Sequence, residues 1–143
     1  MDDKPSTGDC LPLLPEGEYT LKLESHHCAI FFKSPRLVLT FSVADFGEHF
    51  GAKLSRYYNV SSIKGKPGAH SNVKHKHSGD FMIEFYTLFP DQPRRRLDRI
   101  PMEPFYKASI IGRIRNVKRN NQQKKLPEQL QHSVIAELLR AET

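Results

Sequence analysis

Apolar residues recur at every second position in several short runs of this chain, and this alternation constrains the fold more than any other feature of the sequence. Between residues 106 and 114, the even-numbered positions are apolar or glycine, whereas most of the odd-numbered positions are polar or charged. Successive side chains of a β-strand point to opposite faces, so a period of two predicts a strand with one buried face. We expect this strand to cover residues 105–117.

The same alternation predicts four more strands, at residues 17–24, 36–44, 52–60 and 132–140. The less regular residues 26–32 extend the first strand through a bend in one interpretation. Residues 136–139 also favour a helix, because they include alanine, glutamate and two leucines, but we prefer a strand for this last segment.

One segment has the period of a helix instead. Phe81, Phe85, Leu88 and Phe89 share one face of a short helix that ends at Pro90. Five strands with one helix between the third and the fourth follow the order of an OB fold, a partly open Greek-key barrel. We therefore predict a mainly β protein with a five-stranded OB-type barrel, in which closure removes most exposed strand edges.

Two segments lack the pattern of a strand or a helix. Residues 1–15 contain three prolines and no periodicity, and we interpret them as a flexible N-terminal arm before a single domain at residues 16–143. Residues 61–79 form a long basic loop within that domain. Loops of this length inside a compact domain are usually functional or disordered.

The chain is basic, with 22 Lys and Arg against 16 Asp and Glu and a formal net charge of +6. Such a balance suits nucleic acid or an anionic membrane surface, and it is equally compatible with a protein that has no charged ligand. The apolar stretches, of about eight residues or fewer, are too short to span a bilayer. With only Cys10 and Cys28 and no signal-peptide pattern, we expect a cytoplasmic protein without a membrane partner.

Three short motifs resemble a family of small single-stranded DNA-binding proteins from phages and mobile elements. They are Leu14-Pro15-Glu16-Gly17-Glu18-Tyr19, Leu37-Val38-Leu39-Thr40-Phe41 and Gly51-Ala52-Lys53-Leu54-Ser55-Arg56-Tyr57-Tyr58-Asn59-Val60. His132-Ser133-Val134-Ile135 is similar to the closing strand of that family. The resemblance implies DNA binding in replication or recombination of a phage or mobile element, with Arg56, Tyr57 and Tyr58 as contacts. The histidine- and lysine-rich insertion after Val60 departs from the family pattern.

Binding of a single strand requires a basic groove for the phosphates and aromatic rings on which bases stack. OB folds present these groups on strands two and three and on flanking loops. Tyr57 and Tyr58 have opposite parity, so we expect at most one of them to be exposed, and both being part of the barrel is the alternative. The predicted contact residues are Arg36, Lys53, Arg56, Tyr57, Lys64, Lys66, Lys74, Lys76, Lys107, Arg113, Arg115, Lys118 and Arg119.

Two groups within this set are the most informative. Lys107, Arg113 and Arg115 have the same parity on the predicted fourth strand, so we expect them to align on one face. The lysines of the long loop, together with His70, His75 and His77, are expected to form a mobile cationic surface. A solvated insertion without a ligand is the alternative for that loop.

Enzyme activity and metal binding are not expected. His75-x-His77 and His26-His27-Cys28 do not give the paired spacing of a zinc site, and we find no phosphate loop, HExxH motif or nucleophile elbow. The sequence thus predicts sequence-tolerant binding of single-stranded nucleic acid, DNA in preference to RNA, by a possible homo-oligomer without a cofactor. A protein-interaction adaptor, or an inhibitor of a host nuclease on the same scaffold, is the alternative, because one fold hosts several functions. RNA binding is a third hypothesis for the function.

Overall fold

The structure of the protein is a computed structural model that describes residues 13–68, 72–77, 79–119, 123–127 and 131–142. Its elements are β1 (Gly17–Phe31), β2 (Ser34–Val43), β3 (Lys53–Lys64), β4 (Asn72–His75), α1 (Asp80–Leu88), α2 (Glu103–Lys107), β5 (Ser109–Val117) and β6 (His132–Glu142). The six strands form one antiparallel sheet in the order β4-β3-β2-β1-β5-β6. The prediction of a mainly β protein is confirmed.

The predicted five-stranded closed barrel is wrong, because the sheet has six strands and is open. The additional strand, β4, lies inside the predicted long loop, where Val73 and His75 are buried while Asn72 and Lys74 are exposed. This alternation covers only four residues, which is too short to predict a strand within a loop rich in glycine and lysine. A bulge at Val60/Ser62 lets β3 continue to Lys64 and pair with β4.

The start of the predicted fourth strand is also wrong, because residues 103–107 form the short helix α2. Pro104 lies in the first turn of this helix, where a missing N–H costs nothing. Lys107 then pairs with Glu103 at 2.6 Å, one helical turn away. The strand begins only at Ser109, so Lys107 does not share a strand face with Arg113 and Arg115.

The remaining elements agree with the alternation of the sequence. β1 continues through an irregularity between Leu23 and Ser25 as far as Phe31, and residues 132–142 form a strand. α1 buries Phe81, Phe85 and Leu88 against the concave side of the sheet. Residues 1–12 of the predicted arm lie outside the described residues. Within the part that is described, no helix is long and apolar enough to cross a membrane.

Gly112 leaves room on the core side of β5 for the Leu21 side chain of β1. A Cβ atom at this position would lie 2.6 Å from Cδ1 of Leu21, closer than two carbon atoms can pack. The aromatic rings of Phe81, Phe85 and Phe105 pack together in the same core, with centroids 5.6 to 6.1 Å apart.

The two halves of the sheet curl towards each other, and side chains rather than a strand ladder join β3 to β6. The carboxylate of Glu84 on α1 accepts hydrogen bonds from the Tyr58 hydroxyl at 2.8 Å and from the Leu138 N–H at 3.0 Å, and it pairs with Arg56. Farther along, the Cys28 N–H donates to the Gly68 carbonyl at 2.9 Å and fixes the β3–β4 connection beside β1. The core therefore lies inside a curled sheet whose convex face is open.

Candidate nucleic-acid interface

The convex face of β1, β2 and β3 carries rows of polar and aromatic side chains that the strand register sets side by side. On β3, Leu54, Arg56, Tyr58 and Val60 are buried, so the intervening residues point outward. After the bulge, Lys74 on β4 lies beside Ser62, and the outward series continues. We name this outward series the β3 lane: Lys53, Ser55, Tyr57, Asn59, Ser62 and Lys64.

An aromatic group occupies the middle of the β3 lane. The Tyr57 side chain is 42% exposed, and its ring meets the ring of Phe31 edge to face, with centroids 6.0 Å apart. The guanidinium of Arg36 lies over the Phe31 ring, with Cζ 5.6 Å from the centroid. We name Phe31, Arg36 and Tyr57 the aromatic platform.

Three adjacent strands supply one member of the aromatic platform each. Val38 lies opposite Tyr57 in the β2–β3 register and is buried beneath this region. The Nε atom of Arg36 is buried and has no hydrogen-bond partner within the described chain, so packing against Phe31 positions this side chain. The platform is therefore set by the sheet and not by a mobile loop.

A lysine paired with a carboxylate lies at each end of the β3 lane. Lys53 is 3.2 Å from Glu24, which also accepts a hydrogen bond from Ser42 at 2.9 Å, and these hydrogen bonds lower the pKa of Glu24. Lys64 pairs with Asp98, whose pKa is lowered chiefly by that hydrogen bond. The Lys53–Glu24 pair is exposed and therefore weak, so a phosphate can compete for Lys53. Asp98 is buried and also pairs with Arg96 at 3.1 Å, so it competes more strongly with a phosphate for Lys64.

No protein-family model, curated protein or solved structure matches this chain. The resemblance to the phage and mobile-element family therefore stays a prediction that rests on the motifs alone.

The expectation that one of the two neighbouring tyrosines is exposed is confirmed, since Tyr57 is exposed and Tyr58 is buried. Arg56 has the parity of Tyr58 and is also buried, with its guanidinium 4.5 Å from the Tyr58 ring centroid and paired with Glu84. Burial disfavours its charge, but the hydrogen bonds and charge of Glu84 keep the pKa of Arg56 above its ordinary value. Arg56, which we predicted as a contact, is thus buried and is not part of the β3 lane.

The cations of β5 lie on a face where acidic side chains balance them. Arg113 lies 2.7 Å from Glu137 on β6 and opposite Glu18 on β1, and Arg140 is 3.6 Å from Glu18. Arg115 is exposed and lies opposite Val134. This face is consequently less positive than the alternation of arginines in β5 suggested.

The other predicted contacts are spread over two connections. Lys66, Lys74 and Lys76 are exposed around the β3–β4 hairpin. Lys118 and Arg119 are exposed after β5, where Arg119 donates to the Gln123 carbonyl at 3.1 Å. The structure therefore places Lys53, Tyr57, Lys64, Lys74 and Arg36 on one face of the sheet, and it places the β5 set elsewhere.

The three loop histidines do not form one surface. His75 is 3% exposed and stacks on Phe81 with centroids 4.0 Å apart, and burial lowers its pKa to about 4. His77 is exposed, and His70 lies outside the described residues. Among the residues that are described, no group of three or more His, Cys, Asp or Glu side chains is arranged to hold a metal ion.

Sequence reasoning missed the aromatic residues of the hairpin turns. Phe31 has the outward parity of His27 and Ala29, but the irregular pattern of residues 26–32 hid this. Phe32 follows it in the β1–β2 turn and is exposed. Phe46 and Phe50, in the β2–β3 turn, are exposed and stack on each other at 5.5 Å.

Proposed function

We propose that the β3 lane and its aromatic platform bind single-stranded nucleic acid, with DNA preferred over RNA and little dependence on sequence. The observation that carries the proposal is the exposure of Tyr57, beside Phe31 and Arg36, between two lysine-bearing ends. Rings and cations on one open strand face are the combination that sequence-tolerant single-strand binding uses.

Bases of the strand stack on the Tyr57 ring, and the Arg36 guanidinium adds a cation–π or phosphate contact. Base stacking on an aromatic side chain contributes about 1–3 kcal/mol per base, whichever base is present. A duplex keeps its base faces covered by neighbouring pairs, so it gains only the phosphate contacts. Discrimination between single strands and duplexes therefore comes from the platform.

Phosphates are attracted by the cations on the outward face of β1 to β4, namely Lys22, Arg36, Lys53, Lys64 and Lys74. If all five cations neutralise phosphates, the logarithm of the binding constant falls with the logarithm of salt concentration at a slope of about −3.5. Glu24 and Asp98 reduce this slope where their ion pairs persist in the complex.

The finer fold assignment and the biological role belong to the same proposal. We infer that the curled sheet is an open variant of the OB fold, supported by the contact of β3 with β6 and by α1 packing against both. A role in replication or recombination of a phage or mobile element rests on the three sequence motifs.

Fluorescence anisotropy with labelled single-stranded and duplex DNA and RNA of equal length, at two salt concentrations, tests this proposal. Tyr57→Ala is expected to weaken single-strand binding about tenfold or more, whereas Tyr57→Phe keeps the ring and stays near the wild type. Duplex binding should change little in either variant. A salt slope near zero, or equal affinity of Tyr57→Ala and wild type, would contradict the proposal.

The same titration decides between the two basic faces. The pair Arg113→Ala and Arg115→Ala removes the β5 cations, and the pair Lys53→Ala and Lys74→Ala removes two cations at the β3 lane. We expect the second pair to cause the larger loss, because Lys53 and Lys74 lie on the face that carries the aromatic platform, whereas Arg113 and Arg115 lie on β5. A larger loss for the β5 pair would move the binding face to β5.

One observation favours the second candidate function, an adaptor that binds a protein. The stacked rings of Phe46 and Phe50 project from a turn that backbone hydrogen bonds hold at Val43, Gly51 and Ala52. An adaptor would bind oligonucleotides only weakly even at low salt, and substitution of both phenylalanines by serine would abolish recovery of one specific partner.

A further inference from the structure

The β1–β2 hairpin ends in a turn that its residues are poorly suited to form. Phe31 pairs with Ser34, so Phe32 and Lys33 make a two-residue turn, with φ angles of 48° and 66°. Two-residue turns with both φ angles positive favour Asn-Gly, and bulky residues rarely adopt this conformation. Within the described chain nothing covers the ring, since Phe32 is 95% exposed.

An exposed phenylalanine in strained backbone at the end of a hairpin points to a ligand, because strain of this kind clusters at functional sites. Ile30 is 57% exposed as well, but it has the parity of the buried Cys28 and lies on the opposite face of the hairpin from Phe31. We name residues 30–33 the hairpin tip.

We propose that the hairpin tip stacks Phe32 on the last base pair of a duplex, so that the protein binds the junction of a single strand with a duplex. This rests on the proposed function, since the single-stranded part of the junction occupies the aromatic platform. It adds a substrate class: a strand that is unpaired on the platform and paired beyond the tip.

The hairpin tip adjoins the aromatic platform, and this supports placing the duplex end at the tip. Phe31 belongs to both surfaces, and Arg36, which contacts its ring, lies opposite Ala29 only two residues before Phe31. A strand that leaves the platform past Phe31 reaches the tip next. Paired bases cannot stack on Tyr57, so a duplex has to begin where the platform ends.

The end of a duplex matches the chemistry of the tip. A terminal base pair exposes one flat, apolar face, which a phenyl ring covers, and apolar side chains are used in this way as wedges against base steps. Lys33 follows Phe32 in the turn and is exposed, and the Arg36 guanidinium lies over the neighbouring Phe31 ring, so both supply positive charge near the tip for backbone phosphates. This charge favours nucleic acid over an apolar protein surface as the occupant.

The test compares a labelled single strand, the same strand as a 5′ or 3′ tail on a short duplex, and the blunt duplex, by anisotropy at one salt concentration. We expect one tailed duplex to bind about tenfold more tightly than the single strand. Phe32→Asn suits the turn and should abolish this preference while changing single-strand affinity by less than about twofold. Phe32→Tyr retains a ring and should keep the preference, as should Phe46→Ala at the opposite turn.

Each outcome separates this inference from the proposed function. Equal affinity for tailed and untailed strands, with Tyr57-dependent single-strand binding intact, overturns the junction and leaves the proposed function standing. An equal loss for all probes in Phe32→Asn overturns it too, because Phe32 would then be an ordinary strand contact. Absence of single-strand binding overturns both.

Discussion

Glu84 joins β3 to β6 through its contacts with Tyr58, Arg56 and Leu138, and we name this group of contacts the seam. Its carboxylate is buried and receives hydrogen bonds from Tyr58 and from the Leu138 backbone, while Arg56 supplies the compensating charge. A buried charge pair is stable only when both partners remain. The contact between β3 and β6 therefore requires both Glu84 and Arg56.

Replacement of Glu84 by glutamine is expected to destabilise the fold by about 3 kcal/mol, because it leaves Arg56 as a buried and uncompensated charge. Urea denaturation followed by circular dichroism measures this loss. Asp80→Asn is the matched control, since Asp80 lies 4.0 Å from Arg56 but is largely exposed, and it should change stability by less than about 0.5 kcal/mol. Equal effects of the two substitutions would show that Glu84 does not hold the seam.

His75 makes the stability of the protein depend on pH. Burial lowers its pKa to about 4, whereas the unfolded chain has the ordinary value of about 6.5. Below pH 6.5 the unfolded state therefore binds the proton more readily, and stability falls as the pH drops towards 4. The contribution of this residue to the loss is about 3 kcal/mol at pH 4.

His75→Leu should remove most of this dependence, since leucine fills a similar volume and the ring Nδ1 has no hydrogen-bond partner in the described chain to lose. Urea midpoints of the variant and the wild type at several pH values between 4 and 7 test this expectation. Parallel curves for the two proteins would show that His75 is not the titrating group.

At the scale of elements, the sequence predicted the strands whose apolar residues alternate regularly. The prediction was wrong at α2 and missed β4. The alternation of residues 105–117 is continuous, yet Glu103 and Pro104 start a helix whose tertiary contacts outweigh it. β4 was not predicted, because a segment of four residues is too short to show a clear period of two. Arg56 is charged and yet buried, because it alternates with the exposed Tyr57 and pairs with Glu84.

The β1–β2 hairpin should gain stability when its turn is given suitable residues. Phe32→Asn together with Lys33→Gly relieves two unfavourable backbone conformations, and we expect a gain of about 1–2 kcal/mol in the free energy of unfolding. Thermal and urea unfolding measure it, with Lys33→Gly alone as the intermediate variant. A loss of stability would mean that the Phe32 ring packs on the fold and is not held for a ligand.

For the whole molecule, the curl of the sheet separates the face that forms the core from the face that carries the proposed binding surface. The concave side buries α1 and the aromatic core, and the convex side of β1 to β4 presents the β3 lane. The sequence predicted the basic character and both Tyr57 and Arg36 as contacts, but not that Phe31 contacts both of them. Phe31 and Arg36 lie on other strands than Tyr57, and such a juxtaposition follows from register, which composition and parity do not determine.

The central claim is that unpaired bases stack on Tyr57. Because the chain contains no tryptophan, Tyr57→Trp places a single fluorophore on the aromatic platform. We predict that a single-stranded oligonucleotide quenches its emission to saturation, at the concentrations where anisotropy reports binding, and that a duplex of equal length does not. Emission that stays unchanged while the single strand binds would contradict this account.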